Sequence, residues 1–374
     1  MHPTAATQNS VNHPENHPEN HPENHPENQT PAPKTTVTFE DFWYVVALSQ
    51  QLRPGQVLSR TLLDERLVLF RDENGAPVAL RDRCLHRSSP LSLGQVTQGK
   101  LRCPYHGWQY DASGQVVEVP SEVTPPRLAR CAPRYATCEQ DGYVYVRLAT
   151  QPQEAFAPFV MPHYHEPGWE TVRLINQFQN TVVNCAENFI DIPHTAFVHP
   201  GIFRTAQRQP LKMTVSRQQG STVVQYQNET TNLGWYRRFL NRAGHPIQHT
   251  DRFSMPNVTS VEYNMGPNRR LLITSQSVPE TANSTLVYTD VTYSYGIWNQ
   301  LARPLVRWTA QRIINQDIAI LNAQAEVLQR YGQQFSNTSV DVIHVFVESI
   351  WNAIAEGRDP RELPDQTVEV EFLV

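Results

Sequence analysis

Two short segments that each combine a cysteine with a histidine constrain this chain more than any other feature. Cys84 and His86 are separated by one residue, and Cys103 and His106 are separated by two residues. Each segment can supply one thiolate and one imidazole from a loop. Two such loops facing each other can hold a [2Fe–2S] cluster, with both cysteines on one iron and both histidines on the other.

A zinc site is the alternative interpretation, because Cys₂His₂ zinc sites use the same residue types. Those sites commonly combine a pair of cysteines with a separate pair of histidines on a helix, whereas each pair here is mixed. Both pairs also lie between β-like runs, and Pro90, Pro104 and Gly107 favour loops around them. The pattern favours the iron–sulfur cluster, with zinc as the competing interpretation.

The rest of the chain divides into three regions by composition and periodicity. Residues 1–36 repeat His-Pro-Glu-Asn four times, which predicts a disordered tail. Short β-like runs separated by turn residues, notably at residues 72–75, predict an antiparallel β domain over residues 37–150. Residues 151–374 mix strand-like runs with helical patterns, so the expected fold class is α+β. The helical patterns cover residues 180–200, 304–331 and 340–356.

A second group of potential metal ligands lies in the segment from Asn188 to His199. His194 and His199 are five positions apart in a mostly apolar stretch that also contains Asp191. Two histidines and one carboxylate form iron sites that leave positions open for O₂ and a substrate. On an ideal helix, side chains five positions apart point about 140° apart. Both histidines therefore reach one iron only if the helix is interrupted, and Pro193 is placed to interrupt it.

The third ligand of this site is predicted in the long helical pattern over residues 304–331. Its apolar stripe is formed by Val306, Ile313, Ile320 and Leu321. Asp317 lies on the same stripe, and a carboxylate that faces a core is costly to bury unless it is paired or binds a metal. Asp317 is therefore the preferred candidate, and Asp290 and Glu326 are the alternatives.

These segments resemble the metal-binding motifs of the Rieske non-heme iron oxygenases. Residues 84–87 and 103–108 are similar to the cluster loops of that family, although Leu85 stands where many members carry proline. Residues 188–199 resemble the iron motif Asn-x-x-Asp-x-x-His-x₄-His, and residues 316–321 resemble the segment that bears the carboxylate. The resemblance is nearest to the branch that includes chlorophyllide a oxygenase and vanillate O-demethylase.

The resemblance implies an N-terminal antiparallel β Rieske domain and a C-terminal, helix-grip-like domain of helices and antiparallel sheet. The implied ligands are Cys84, His86, Cys103 and His106 for the [2Fe–2S] cluster, and His194, His199 and Asp317 for a mononuclear non-heme Fe(II). Asp191 would orient His194 and connect to His106 of the partner subunit. Asn188 would lie beside the iron.

The resemblance also implies an activity: O₂-dependent hydroxylation or oxidative dealkylation of a small organic substrate, for which an aromatic compound is one expectation. Electrons would come from NAD(P)H through a separate ferredoxin or flavin reductase, since no G-x-G-x-x-G motif is visible in the sequence. The electron path between subunits implies a homotrimer. The alternatives are a non-catalytic Rieske electron carrier and a zinc-binding module, neither of which has a use for His194, His199 and Asp317.

Bulk composition excludes several other classes of protein. The net charge is −5, the pI is near 6.3, and no basic block predicts nucleic-acid binding. The sequence has neither the roughly eighteen-residue apolar run of a membrane span nor a secretory signal. Five cysteines are an odd and sparse set for a disulfide scaffold. The expectation is a soluble cytoplasmic protein, without the C-terminal membrane helices typical of the plant pigment oxygenases.

The substrate pocket is expected to come from residues 201–300, a region rich in aromatic and arginine side chains. The candidates are Trp235, Tyr236, Phe239, Phe253, Tyr263, Tyr288, Tyr293 and Tyr295, together with Arg237, Arg238, Arg269 and Arg270. Such a mixture would suit an aromatic or carboxylated substrate. The competing interpretation is that these residues belong to the core and to solvated surface.

Overall fold

The computed structural model of the chain describes residues 36–124, 130–152, 156–200, 210–227, 247–266 and 269–373. These residues belong to one structural unit, Thr35–Val374. The repeat-containing tail predicted over residues 1–36 lies outside the described residues except for its last position, and its disorder stays a prediction.

The N-terminal part of the described chain forms two antiparallel sheets. The strands of the larger sheet are β1 (Tyr44–Leu48), β2 (Leu58–Leu62), β3 (Glu65–Arg71), β4 (Pro77–Arg81), β9 (Arg134–Gln140) and β10 (Tyr143–Arg147). The smaller sheet contains β5 (Gln95–Thr97), β6 (Lys100–Arg102), β7 (Gln109–Tyr110) and β8 (Val116–Glu118). The strand orders are β1-β10-β9-β4-β3-β2 and β5-β6-β7-β8.

The turn between β3 and β4 shows how local chemistry sets this hairpin. Asp72 Oδ1 accepts hydrogen bonds from the backbone N–H groups of Asn74 (2.9 Å) and Ala76 (2.8 Å). Gly75 adopts φ +81°, a left-handed conformation that glycine takes without steric strain. The predicted turn is therefore confirmed. It joins β3 to β4, and the first cysteine–histidine loop follows β4.

The described residues of the C-terminal part form one eight-stranded antiparallel sheet and four α-helices. The strands are β11 (Glu170–Phe178), β12 (Pro210–Gln218), β13 (Ser221–Gln227), β14 (Gln248–Ser254), β15 (Val258–Asn264), β16 (Arg270–Thr281), β17 (Ser284–Ser294) and β18 (Gln366–Leu373), in the order β11-β17-β16-β15-β14-β13-β12-β18. The helices are α1 (Val182–Ile190), α2 (Thr195–Val198), α3 (Asn299–Tyr331) and α4 (Val342–Ala355). Short 3₁₀ turns cover Phe39–Asp41, Ser49–Gln51, Leu91–Leu93, Gly296–Trp298, Ser339–Asp341 and Pro360–Glu362. The predicted α+β class with antiparallel sheets is confirmed.

One face of the eight-stranded sheet, called the inner face below, carries the helices. Residues directly opposite each other on neighbouring antiparallel strands share a face. One such row on the inner face is Val224, Asp251, Val261, Ile273 and Val291. Phe346 of α4 packs near the β12 end of this face, and Val306 and Ile314 of α3 pack near the β17 end. The helices and the sheet therefore enclose the space in which the second group of potential metal ligands lies.

The opposite face of this sheet packs against the first sheet. Val278 and Tyr288, from β16 and β17, share a hydrophobic cluster with Tyr143 and Tyr145 of β10. This contact joins the two parts of the chain through large side chains that are almost completely buried.

A buried polar network crosses the same contact. The Tyr143 hydroxyl donates to Asp290 Oδ1 (2.6 Å), and Arg173 Nε donates to Asp290 Oδ2 (3.1 Å). Burial raises the pKa of Asp290 more than Arg173 and Tyr143 lower it. Asp290, an alternative candidate for the third metal ligand, therefore has a structural set of partners, and the other alternative, Glu326, is exposed on α3.

Helix α3 differs from its prediction in two respects. It begins at Asn299 rather than at Pro304, because contacts from outside the helix fix its start: the Tyr293 hydroxyl donates to Asn299 O (3.0 Å) and Tyr295 N donates to Asn299 Oδ1 (2.6 Å). Ile320 was predicted on the buried stripe but is 49% exposed, since the buried row passes through its neighbour Leu321. No helix in the described ranges is long and apolar enough to cross a membrane.

Candidate metal centres

The two cysteine–histidine segments form loops that directly follow β4 and β6. In the first loop, the Cys84 carbonyl accepts a hydrogen bond from Ser88 N (3.0 Å). In the second loop, Cys103 N donates to Trp108 O (2.8 Å), and the Cys103 carbonyl accepts from Gly107 N (3.2 Å). Each loop therefore closes around its cysteine, and the position of the thiol is set by backbone hydrogen bonds.

Both cysteines of these loops are buried, and a tyrosine contacts one of them. Cys84 and Cys103 are each 2% exposed. The Tyr110 hydroxyl lies 3.2 Å from Cys84 Sγ and accepts a hydrogen bond from Leu85 N (2.9 Å), so that its proton can point at the sulfur. Burial raises the pKa of the Cys103 thiol, so a bound metal is the natural means of keeping it a thiolate. The contact of Tyr110 with Cys84 was not predicted from the sequence.

The histidines of the two loops lie together, closer to the surface than the cysteines. The His86 and His106 rings are 4.5 Å apart between centroids, and His86 stacks on the indole of Trp108 at 4.8 Å with an interplanar angle of 1°. His86 Nδ1 is buried and has no hydrogen-bond partner among the described residues. A buried imidazole nitrogen without a partner is costly unless it binds something, which fits a metal ligand.

The spacing of these four side chains distinguishes a cluster from a single ion. Ligand atoms on one zinc ion lie within about 4 Å of one another, because Zn–S and Zn–N bonds are about 2.0–2.3 Å long. Among the described residues, Cys84, His86, Cys103 and His106 do not form a group of three or more ligand atoms within 4.8 Å of each other. A two-iron cluster, which spreads its cysteine and histidine ligands over two metals, fits this donor set better.

The second group of ligands depends on an interruption between α1 and α2. Helix α1 starts at the N-cap Thr181, whose hydroxyl accepts a hydrogen bond from Asn184 N (3.2 Å), and ends before Asp191, which is extended. The next helix, α2, is a single turn, with His194 directly before it and His199 directly after it. The predicted break near Pro193 is confirmed, and it turns the two histidines toward the same point.

Asp317 of α3 completes this group. Its Oδ1 lies 3.1 Å from His199 Nε2 and 3.7 Å from His194 Nε2, and the three ligand atoms all lie within 4.8 Å of one another. Metal bonds of about 2.1 Å place neighbouring ligand atoms roughly 3–3.5 Å apart. Asp317 Oδ1 is buried and, among the described residues, has no aligned hydrogen-bond donor despite these short distances. The Asp317 oxygen and the two histidine nitrogens are therefore arranged as ligands around one shared metal ion would be.

The second nitrogen of each histidine faces an oxygen atom. His199 Nδ1 lies 2.9 Å from Gln316 Oε1, and His194 Nδ1 lies 3.4 Å from Asp191 Oδ2. Burial opposes protonation of His199, but Asp317 and Gln316 raise its pKa above the usual value. Metal-bound imidazoles usually have such outer partners, which fix the ring and its tautomer. Gln316 was part of the family segment in the sequence but was not predicted to orient His199.

A cavity of about 700 Å³ is lined by all three members of this group and by Asn188. Its walls are largely apolar, and they include Val261, Leu271, Ile273 and Val291 from the inner face and Leu301, Ala302, Leu305, Val306, Ala310, Ile313 and Ile314 from α3. Asn188 Oδ1 is buried without a partner among the described residues. A concave, mostly apolar space with a few polar groups is typical of a small-molecule site.

The structure assigns the predicted pocket residues to different places. Tyr263, Tyr295 and Arg269 line the cavity. Phe253, Tyr288 and Tyr293 were predicted to line it, but they are buried in hydrophobic clusters and are absent from the described lining, as is the exposed Arg270. Trp235, Tyr236, Arg237, Arg238 and Phe239 lie outside the described residues. The wall formed by α3 was not predicted, because its aliphatic side chains lie beyond the region rich in aromatic and arginine residues from which the pocket was expected.

Two protein families match this chain. Residues 42–135 match the Rieske [2Fe–2S] domain, and residues 179–356 match the vanillate O-demethylase oxygenase C-terminal domain. The first match contains both cysteine–histidine loops, and the second contains α1, α2 and α3 with the His194–His199–Asp317 group. The two families therefore correspond to the two candidate metal centres.

Curated relatives match about half of the chain. An iron-sulfur subunit of the toluene-4-sulfonate monooxygenase system of Comamonas testosteroni is 31% identical over 196 residues, which are 52% of this chain and 54% of the relative. The methylxanthine N1-demethylase of Pseudomonas putida is 36% identical over 172 residues, which are 43% of this chain and 47% of that enzyme. The chain thus spans about half the length of the curated relatives that it matches.

Solved structures match over a larger part of the chain. Dicamba monooxygenase bound to dicamba superposes with a TM-score of 0.72 at 22% identity, and the match covers 86% of this chain and 98% of that one. This likeness supports the overall fold.

Proposed function

We propose that this chain, which belongs to the Rieske non-heme iron oxygenase family, is the oxygenase component of a multicomponent system that oxidises a small organic molecule with O₂. The reaction would be a hydroxylation or an oxidative dealkylation. The observation that carries the proposal is the His194–His199–Asp317 group lining a cavity of about 700 Å³, in the same chain as two cysteine–histidine loops. A non-catalytic electron carrier would need only the loops.

The proposed roles follow the donor atoms. Cys84, Cys103, His86 and His106 would hold the [2Fe–2S] cluster. His194 and His199 through Nε2, with Asp317 through Oδ1, would hold a mononuclear iron and leave other positions open. When bound, the two groups supply electron storage and O₂ activation. We further propose that residues 37–150 and 151–374 are the corresponding functional domains.

Several protein groups support this chemistry without holding a metal. Asp191 would orient His194, and Gln316 would orient His199, which sets the direction of both imidazoles. Asn188 would present its amide to the cavity beside the iron. The apolar walls from the inner face and α3 would exclude water and hold the apolar body of the substrate.

The proposal includes partners. NAD(P)H would deliver electrons through a separate ferredoxin or flavin reductase. The chain would act as a homotrimer in which Asp191 connects to His106 of the partner subunit. A cytoplasmic location is proposed as well, supported by five cysteines that form no disulfide in the structure.

The proposed substrate class is a small organic molecule of the size of an aromatic or heteroaromatic ring with substituents. The cavity volume lies in the usual range for such ligands, about 300–1,000 Å³. The names of the matched proteins mention toluene-4-sulfonate, methylxanthine and dicamba, which are compounds of this size class.

Metal analysis and one pair of variants test the proposal. Purified protein should contain iron and labile sulfide, with the visible spectrum of a Rieske cluster. His194→Ala should keep that spectrum and lose turnover in a substrate screen with a surrogate reductase, scored by mass gain or by loss of a methyl group. The control is His165→Ala, which changes an exposed histidine. Zinc without labile sulfide, or turnover retained in His194→Ala, would refute the proposal.

A further inference from the structure

Helix α3 places one buried hydroxyl in the wall of the cavity. Thr309 is 9% exposed and lines the cavity together with its helical neighbours Val306 and Ile313. A threonine inside a helix can satisfy its hydroxyl by donating to the carbonyl oxygen three or four residues earlier. The Thr309 hydroxyl makes no such bond, and it has no other hydrogen-bond partner among the described residues. Burial of this hydroxyl is therefore costly, and no contact within the described protein compensates for it.

Buried polar atoms without a partner mark the positions in this cavity that are prepared for a ligand. Among the described lining residues, four side chains carry such an atom. Asp317 Oδ1 belongs to the proposed iron site, Asn188 Oδ1 lies beside it, and His194 Nδ1 faces Asp191 at 3.4 Å. The fourth atom is Thr309 Oγ1, which lies outside the iron site. A buried polar group of this kind needs a partner, and the cavity is where a partner can arrive.

Polar side chains on the opposite wall of the cavity differ from Thr309 in this respect. Ser275 Oγ lies 3.1 Å from Thr289 Oγ1, and the two residues are direct cross-strand neighbours on β16 and β17. Cross-strand hydroxyl pairs of this kind stabilise a sheet by themselves. The Ser275–Thr289 pair is therefore explained by the fold, whereas the Thr309 hydroxyl is not.

The position of Thr309 along α3 determines which end of the cavity it serves. Thr309 precedes Asp317 by eight residues, which corresponds to about 12 Å along the axis of a helix. Between them, Ala310, Ile313 and Ile314 line the cavity. The cavity wall on α3 therefore has a hydroxyl at one end, aliphatic side chains in the middle and the iron site at the other end.

Resting on the proposed oxygenase function, we propose that Thr309 is a specificity-determining residue that binds the polar end of the substrate. Its hydroxyl donates a hydrogen bond to an acceptor oxygen, such as that of a ketone or an ether. The apolar body of the substrate packs against Ile313 and Ile314, and the substrate group nearest Asp317 is apolar. The substrate class is therefore a ring compound that carries a hydrogen-bond acceptor at the end remote from the iron site.

Thr309→Val tests this role, because valine keeps the branched shape of the side chain and removes the hydroxyl. The probes are 4-methylacetophenone and 4-isopropyltoluene, a ketone and a hydrocarbon of similar shape. Calorimetric titration of the anaerobic, metal-loaded protein measures binding without turnover. Relative to the hydrocarbon, the ketone should bind about three- to tenfold more weakly to Thr309→Val than to the parent, as expected for one lost hydrogen bond. An unchanged preference, or undetectable ketone binding to the parent, would overturn the proposal.

Thermal unfolding separates this role from a structural one. Because an unpartnered buried hydroxyl is costly, ligand-free Thr309→Val should unfold at the parent temperature or above it. A lower unfolding temperature, with equal loss of affinity for both probes, would refute the proposal and assign the hydroxyl to the fold. Thr289→Val is the control, since it removes a hydroxyl that already has a partner. It should keep the parent preference, and an equal loss of preference in this variant would also contradict the proposal.

Proton relaxation of the bound ketone tests its orientation. In the Fe(II)-loaded protein, the ring methyl of 4-methylacetophenone should relax faster than its acetyl methyl, because the acetyl group is held at the end remote from the iron. The reverse order would overturn the proposed orientation. Iron, labile sulfide and the cluster spectrum are measured on the same samples. If the metals are present but Thr309→Val keeps the parent preference, the subsite is refuted and the oxygenase function stands. If cluster or iron is missing from the parent, the oxygenase function itself fails.

Discussion

The two candidate metal centres of this chain are built in opposite ways. The cysteine–histidine centre comes from two neighbouring loops that backbone hydrogen bonds close around Cys84 and Cys103. The other centre joins the α1–α2 segment to α3, and its contact between His199 and Gln316 spans 117 residues. Local turn geometry therefore forms the first centre, whereas the second exists only when α3 is packed against the sheet.

The environments of the two centres differ as well. The first centre has buried cysteines and an exposed His106, so one side of it faces the surface. In the second centre, His199 and Asp317 are buried and face a cavity with mostly apolar walls. This contrast suits electron entry at the first centre and chemistry shielded from water at the second. Variants that affect one centre and spare the other test how independent they are.

The largest expected effect is the loss of the whole cluster in Cys103→Ser. A serine oxygen is a poor substitute for a thiolate that a cluster iron requires, so labile sulfide and the visible spectrum should disappear. The second centre should still bind about one iron, because α1, α2 and α3 do not depend on this loop. The control is Cys131→Ser, at an exposed cysteine. Loss of the mononuclear iron as well would show that the two centres fold as one.

Asp317→Ala should have the converse effect. Removing one of three ligands should lower iron affinity at the second centre at least about 100-fold, more than the loss of an outer partner does. The iron content should then fall from about three irons per two sulfides to about two irons per two sulfides, and the cluster spectrum should stay unchanged. Glu326→Ala, at an exposed carboxylate of the same helix, should keep the parent ratio. An unchanged ratio in Asp317→Ala would exclude Asp317 as a ligand.

The contrast between the centres also explains which features the sequence could predict. The mixed cysteine–histidine pairs and the turn at Gly75 depend on neighbouring residues, and the break near Pro193 follows from the five-position spacing of two histidines. The position of Asp317 beside the two histidines could be predicted because a carboxylate on an apolar stripe needs a partner. Each of these inferences uses information carried within one element.

The features that the sequence did not reveal depend on contacts between distant elements. The hydroxyl pair of Ser275 and Thr289 requires the register of β16 and β17, which no local periodicity encodes. The start of α3 at Asn299 depends on hydrogen bonds with Tyr293 and Tyr295, whereas the helical pattern in the sequence began at Pro304. Tyr110 and Gln316 likewise acquire their roles only when their partners arrive from other parts of the chain.

Gln316→Ala should have a smaller effect than the loss of a ligand. It removes the oxygen that faces His199 Nδ1 at 2.9 Å and leaves all three ligands in place. Loss of such an outer partner typically lowers metal affinity about 10- to 100-fold, which competition with a chelator would measure. Gln329→Ala, at an exposed glutamine of the same helix, is the control. Equal affinities in the two variants would show that Gln316 does not orient His199.

The smallest expected effect concerns Tyr110→Phe, which keeps the ring and removes the hydroxyl 3.2 Å from Cys84 Sγ. A hydrogen bond to a cluster sulfur stabilises the more negative, reduced state, so its loss should lower the reduction potential. A bond of about 0.5–1.5 kcal/mol corresponds to a shift of roughly 20–65 mV for one electron, measurable by a redox titration of the cluster spectrum.

Tyr105→Phe, at an exposed tyrosine of the second loop, is the control. Because sulfide content should stay at the parent level, an unchanged potential would mean that the Tyr110 hydroxyl does not donate to the sulfur. A fall in potential would show that even the locally built centre is tuned by a residue outside its two loops.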